Sequence, residues 1–284
     1  MKMNIKYALL AGLLLAIACR KNVTVQNHPD SQLTFFNVSE HLANQMPVNT
    51  AAYSFVLLDT PDTSVHQVDA ALQTYPYFAG GLNMVENQIQ YVNNQYDYRN
   101  AGLPEPWIHY MHIPPGNHSF TLTDTAGRDA MISGQVNTGS ACPVTVFFAD
   151  SLGSFRYWVT QDTLTNLPGQ IRLRVLQLSP DAGQVFFTVN KRIATAFPDS
   201  LQYGSVTPFI NLDNPVSDTL TIRFYHVGDT TNILTRAFLY ADPGRVYTMV
   251  LKGYVNSQAY PDPKTPGNTV NINPDLSVVI NKNY

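Results

Sequence analysis

Apolar residues along this chain come in short runs rich in Val, Ile, Phe, Tyr and Thr, bounded by Gly, Pro, Asn and Asp, which is the strand signature. The runs predict strands at Leu33 to Val38, Tyr53 to Leu58, Ile108 to Ile113, Ser119 to Thr123, Val144 to Phe148, Ile171 to Leu178, Val185 to Val189, Leu220 to Tyr225 and Tyr247 to Leu251. Helical periodicity is nearly absent. Many short strands at this spacing predict an all-β chain built as a sandwich. In IRLRVLQL, Ile171, Leu173 and Val175 alternate with Arg172 and Arg174, so one face is expected to be buried and the arginines to meet water.

The pattern repeats. LTFFNVS from Leu33 lies over LRVLQLS from Leu173, AYSFVLLD over GQVFFTVN, HSFTLTD from His118 over DTLTIRF from Asp218, and PVTVFFA from Pro143 over VYTMVLK from Val246. The offset is about 140 residues at the first segment and about 100 near His118, so the first copy carries an insertion between Thr60 and Trp107. This predicts two tandem β-sandwich domains, 31–160 with an insertion near 60–107, and 170–284, joined by the short linker QDTLTNLPG.

Ahead of the first domain, Lys2 and Lys6 precede an apolar run from Ala8 to Ala18 that ends at Cys19, which reads as a secretory signal over 1–18. The sequence LAIAC, Leu15 to Cys19, resembles a bacterial lipobox. That resemblance implies acylation of Cys19 with a diacylglyceryl thioether and an N-acyl chain, palmitate-type anchoring to the bacterial outer membrane, and a tether over 19–30. Two or three acyl chains hold a protein stably where one does not. No acidic run follows Cys19, which favours the periplasmic face over the cell surface.

Composition narrows the partners. Only 13% of residues are charged, against a usual value of about 25%, and the net charge is −3, so nothing is basic enough for nucleic acid. The second cysteine, Cys142 in SACPVTVFF, leaves no intramolecular disulfide once Cys19 is acylated, and its strand-like surroundings predict a buried, inert thiol.

SPDA at Ser179 to Ala182, YGSVTPF at Tyr203 to Phe209, and PGRVYTMVLKG at Pro243 to Gly253 together resemble the DUF4397 domain. The first copy shares only the PPG turn at Pro114 to Gly116 and the later strands, and the closing LSVVINKNY is similar to the ends of Bacteroidetes members. The resemblance implies immunoglobulin-like β-sandwiches in a secreted or surface-attached lipoprotein, with no catalytic residues to carry over. Each motif also has a structural reading: Pro180 and Asp181 form a corner, Gly204 and Gly244 are turn glycines, and Tyr247 pins a sandwich corner with its hydroxyl.

No GxSxG elbow, HExxH, Walker loop, dinucleotide fingerprint or CxxC pair occurs, so the chain is expected not to be an enzyme and to need no cofactor. His109, His112 and His118 are the nearest approach to a metal set, but strand positions three apart face opposite ways, so no metal site is expected. Turn chemistry explains Asp59 and Asp62 around Pro61.

Within the insertion, Tyr75, Tyr77, Tyr96, Tyr98 and Trp107 stand among many Asn and Gln side chains. Rings with neighbouring amides suit sugar or protein contacts, or form a satellite core under a long loop. The chain thus reads first as a noncatalytic cell-envelope lipoprotein acting in binding or assembly. A glycan-binding lipoprotein of a polysaccharide-uptake system is the second reading, and a periplasmic enzyme with an unrecognised site the third.

Overall fold

A computed structural model describes residues 31–45, 54–59, 84–85, 88–91, 110–123, 130–139, 142–165, 167–263 and 266–283. The first half contains β1 (Ser31–Asn37), α1 (Glu40–Gln45), β2 (Ser54–Leu58), β3 (Met84–Val85), β4 (Gln88–Tyr91), β5 (Met111–Ile113), β6 (Gly116–Thr123), β7 (Ala130–Thr138), β8 (Val144–Ser151) and β9 (Ser154–Gln161). The second contains β10 (Gln170–Gln177), β11 (Val185–Val189), β12 (Arg192–Ile193), β13 (Ile210–Asp213), β14 (Asp218–His226), β15 (Thr235–Ala241), β16 (Val246–Lys252), β17 (Gln258–Pro261), β18 (Thr269–Ile272) and β19 (Ser277–Lys282). Strands lie on each of the nine stretches that the apolar pattern marks, and the chain is all-β apart from α1 among the described residues.

The two halves share one topology. Sheet β5-β1-β8-β9 corresponds to β13-β10-β16-β19, and β4-β2-β6-β7, extended by β3, corresponds to β12-β11-β14-β15. In each half the first strand pairs in parallel with a late one, Leu33 opposite Val144 and Leu173 opposite Tyr247, the residue pairs that the internal repeat superposes. Turns repeat as well. Asp59 and Asn190 both adopt left-handed backbone, and each accepts a backbone N–H from the next strand, Ser119 or Thr221, at 2.8 Å. Short polar side chains tolerate that conformation because they bond locally. These bonds align Ser119 with Thr221, so the sequence overlay of HSFTLTD on DTLTIRF is two residues out of register. A slip of two keeps every side chain on its face, which is why the pattern concealed it.

Each half buries its own core between its two sheets. Leu33, Phe35, Val56, Phe120, Val146 and Phe148 fill the first, and Leu173, Val175, Phe187, Phe224, Tyr247 and Met249 fill the second. A third cluster joins the halves, with Phe36, Val38, Phe147 and Ala149 packing against Leu176, Leu178 and Val250. The sheets of β1 and β10 therefore meet back to back, and the four principal sheets stack in layers. Strands β8 and β16 are buried on both faces, as their mostly apolar runs allow, with their Thr145 and Thr248 hydrogen-bonded.

The stacking corrects the reading of IRLRVLQL. Its second face meets the other half rather than solvent, and Arg174 is only 2% exposed. Arg174 donates to Asp162 Oδ1 at 2.5 Å and to Thr248 Oγ1 at 3.0 Å, and its guanidinium lies 4.4 Å from the Phe209 ring centre. Asp162 is in turn bonded by Thr145 and, at 2.7 Å, by the hydroxyl of Tyr110, so the buried charges are paired as burial demands, with Arg174 Nε left without a hydrogen-bond partner among the described residues. Cys142 is a second correction: it is exposed, on the bend before β8, because burial begins only at the next residue, Pro143.

Candidate functional site

Among the described residues no cluster of three or more His, Cys, Asp or Glu side chains is placed to hold a metal ion. His118 is locked into the fold: Nδ1 lies 2.6 Å from Asp59 Oδ2 and Nε2 lies 2.8 Å from the Pro114 carbonyl, so neither nitrogen is left for a ligand. His109, Asp62, Cys19, Tyr75, Tyr77, Tyr96, Tyr98 and Trp107 lie outside the described residues, as does the side chain of His112.

Buried carboxylates elsewhere serve the joint between the halves. Asp150 accepts Ser39 Oγ at 2.6 Å and the backbone N–H groups of His41 and Gly153, while Tyr254 approaches it at 3.4 Å. Burial, reinforced by the Asp150 charge, drives the Tyr254 and Tyr260 hydroxyls well above the usual phenol range, and burial pushes Tyr203 up to about 12. All three hydroxyls stay protonated; those of Tyr254 and Tyr260 meet Asp150 and His41, and that of Tyr203 is buried without a hydrogen-bond partner among the described residues. Lys252 pairs with Glu40 across the joint, and the β17–β18 hairpin reaches α1, where Tyr260 meets His41 Nδ1 at 2.7 Å.

The motif residues are structural. Ser179 Oγ donates to the Gly253 carbonyl at 2.6 Å, and a Cβ on Gly253 would lie 2.4 Å from Asp275. Asp181 caps the loop after β16, accepting the N–H groups of Val255 at 2.7 Å and Asn256 at 3.0 Å, rather than its own corner. Gly204 turns against Trp158 of the first half. Tyr247 is fully buried and its hydroxyl joins Tyr240 O and Asp242 N at 3.1 and 2.9 Å, the corner pin its position predicts.

Among the described residues, one surface face stands out. The sheet β12-β11-β14-β15 turns Ile222, Phe224 and Leu239 into the core, so the alternate residues Phe186, Thr188, Thr219, Thr221, Arg223, Tyr225, Arg236, Phe238 and Tyr240 look outward. Phe238 and Tyr240 are 49% and 47% exposed on successive same-face positions of β15. Phe186 stacks on Tyr225 with ring centres 5.4 Å apart, and the Arg236 guanidinium lies 5.4 Å from the Phe238 ring centre. At one end an apolar recess of about 250 Å³ is lined by Phe186, Ile193, Pro198 and Val227, with Asp199 and no histidine. Sequence reading missed this face because isolated aromatics at alternate strand positions look like ordinary strand residues. The signal was TRAFLYA itself, where Phe238 and Tyr240 occupy the phase opposite the core residue Leu239.

The chain carries a match to DUF4397, a domain of unknown function, over residues 90–188. The DUF4397 match runs from β4 to β11, so it overlaps the segment that carries the motif resemblance only over 170–188. No curated protein matches the chain. Among solved structures, one described as "Alpha-glucan recognition by family 41 carbohydrate-binding modules from streptococcal virulence factors" is 8% identical, covering 78% of this chain and 93% of that one, with a TM-score of 0.23. A TM-score at that level establishes no shared fold.

Proposed function

We propose that this chain is a noncatalytic binding protein of the bacterial cell envelope, anchored through lipid on Cys19, that meets its partner through the outer face of the β12-β11-β14-β15 sheet. The observation that carries the reading is the exposure of Phe238 and Tyr240 at successive same-face positions on an outer sheet of the stack. Exposed aromatics on a flat sheet offer contact area that is already ordered, so little entropy is lost on binding. The noncatalytic part of the reading is supported by the engagement of His118, Asp150 and Asp162 in hydrogen bonds that hold the fold. The lipobox-like LAIAC supports the anchor.

The test is retention of the full chain on immobilised envelope polysaccharide and on outer-membrane protein fractions. Phe238→Ser/Tyr240→Ser is expected to keep its near-ultraviolet circular dichroism and lose retention by at least ~10-fold. Unchanged retention sinks the contact face. Anchoring is tested separately by incorporation of labelled palmitate into the wild type and its loss in Cys19→Ser.

A further inference from the structure

An unusual pairing lies beside the exposed rings of Phe238 and Tyr240, with Tyr225, buried, and Phe186, half-buried, on its other side. Arg223 on β14 and Arg236 on β15 are directly opposite each other in the antiparallel register, on the same outward face. Like charges so placed destabilise a sheet, and neither guanidinium has a carboxylate partner among the described residues. Next in the same row is Thr188, opposite Arg223 and only 7% exposed. Thr188 Oγ1 and Arg223 Nε are both buried without a hydrogen-bond partner. The row therefore holds two facing cations with no anion between them, over two buried polar atoms that no protein group among the described residues satisfies, and an anion at the guanidinium ends would offset the repulsion.

We infer that this row binds the carboxylate of an acidic polysaccharide, with a sugar ring stacked on Phe238 or Tyr240. This rests on the contact face proposed above and adds the ligand class. A guanidinium presents two parallel N–H donors that match a carboxylate, and an anion between two arginines turns their repulsion into attraction. The aromatic rings on one side of the arginine row take the apolar face of a pyranose, and the hydroxyls of Thr219 and Thr221 stand among them for its polar edge. A sheet face lets a long polymer pass across it, which a closed pocket does not. The net negative charge of the chain disfavours nucleic acid, whose charge density is far higher.

Affinity electrophoresis of the full chain tests this in gels containing polygalacturonate, alginate, dextran, laminarin or polyglutamate. Retardation is expected in the two acidic polysaccharides, weakening as salt rises from ~20 to ~200 mM, and falling at least ~10-fold in Arg223→Gln/Arg236→Gln. Arg236→Lys, which keeps the charge and loses the fork, is expected to fall between. Equal retardation in dextran or laminarin that depends on Phe238 and Tyr240 but not on the arginines overturns the acidic ligand and leaves the contact face standing. Retardation in polyglutamate as strong as in polygalacturonate overturns the saccharide. Retardation insensitive to both pairs of substitutions, or none in any gel, overturns this inference, the former together with the contact face.

Discussion

Glu40 sits where the halves meet, and burial pushes its carboxyl up from 4.5 to about 7, with Asp275 adding to the rise and the paired Lys252 opposing it. Between those values the folded chain holds a proton that the unfolded chain has released, so stability from this group is present in mild acid and lost as pH climbs through about 7. The urea midpoint is therefore expected to fall between pH 5 and pH 8, and Glu40→Gln to flatten that fall whatever it does to absolute stability. An equal slope in the variant would place the effect elsewhere. The residue was invisible as a titrating group in the sequence, because SEHL shows a solvent-type glutamate and nothing in it reveals the sheet from the other half that covers it.

Elements were more legible than residues. Strand existence follows from local β-branched and aromatic runs, which is why β1, β8, β10, β11, β14 and β16 lie where the pattern puts them. Strands β7, β9 and β15 escaped notice because their faces are half wet and their runs are broken by polar or charged residues, as in AMISGQVNT and SFRYWVTQ. Turn chemistry was half readable: Asp181 was recognisable as a cap, but its target, the loop after β16, lies more than 70 residues on. Two backbone donors and Gln258 depend on that carboxylate. Asp181→Ala is accordingly expected to cost about 1–3 kcal/mol in chemical denaturation and to raise amide exchange in the loop after β16. Exchange unchanged at Val255 and Asn256 would contradict the cap.

At the scale of the whole molecule the joint decides behaviour. Arg174, Asp162, Tyr110, Thr248 and Asn283 form one polar network beside the apolar contact of Phe147 with Leu176 and Val250. Removing one member of a buried ion pair strands the other charge. Asp162→Ala is expected to lower stability by about 3–5 kcal/mol, and Arg174→Met in the same chain to recover most of the loss. Unfolding is expected in a single transition followed by tryptophan fluorescence and circular dichroism alike; two separate midpoints would mean that the halves are independent.

The parallel pairing of β1 with β8 and of β10 with β16 also bears on how the polypeptide is made. Neither first strand finds its parallel partner until roughly a hundred or roughly seventy further residues have emerged from the ribosome, and closures of that span are slow. Until then β1, and later β10, has one edge unpaired in an unfinished chain, the other being open to β5 or β13. A nascent polypeptide of this design has a prolonged period of stickiness, and a holdase that shields it is the natural companion of its synthesis.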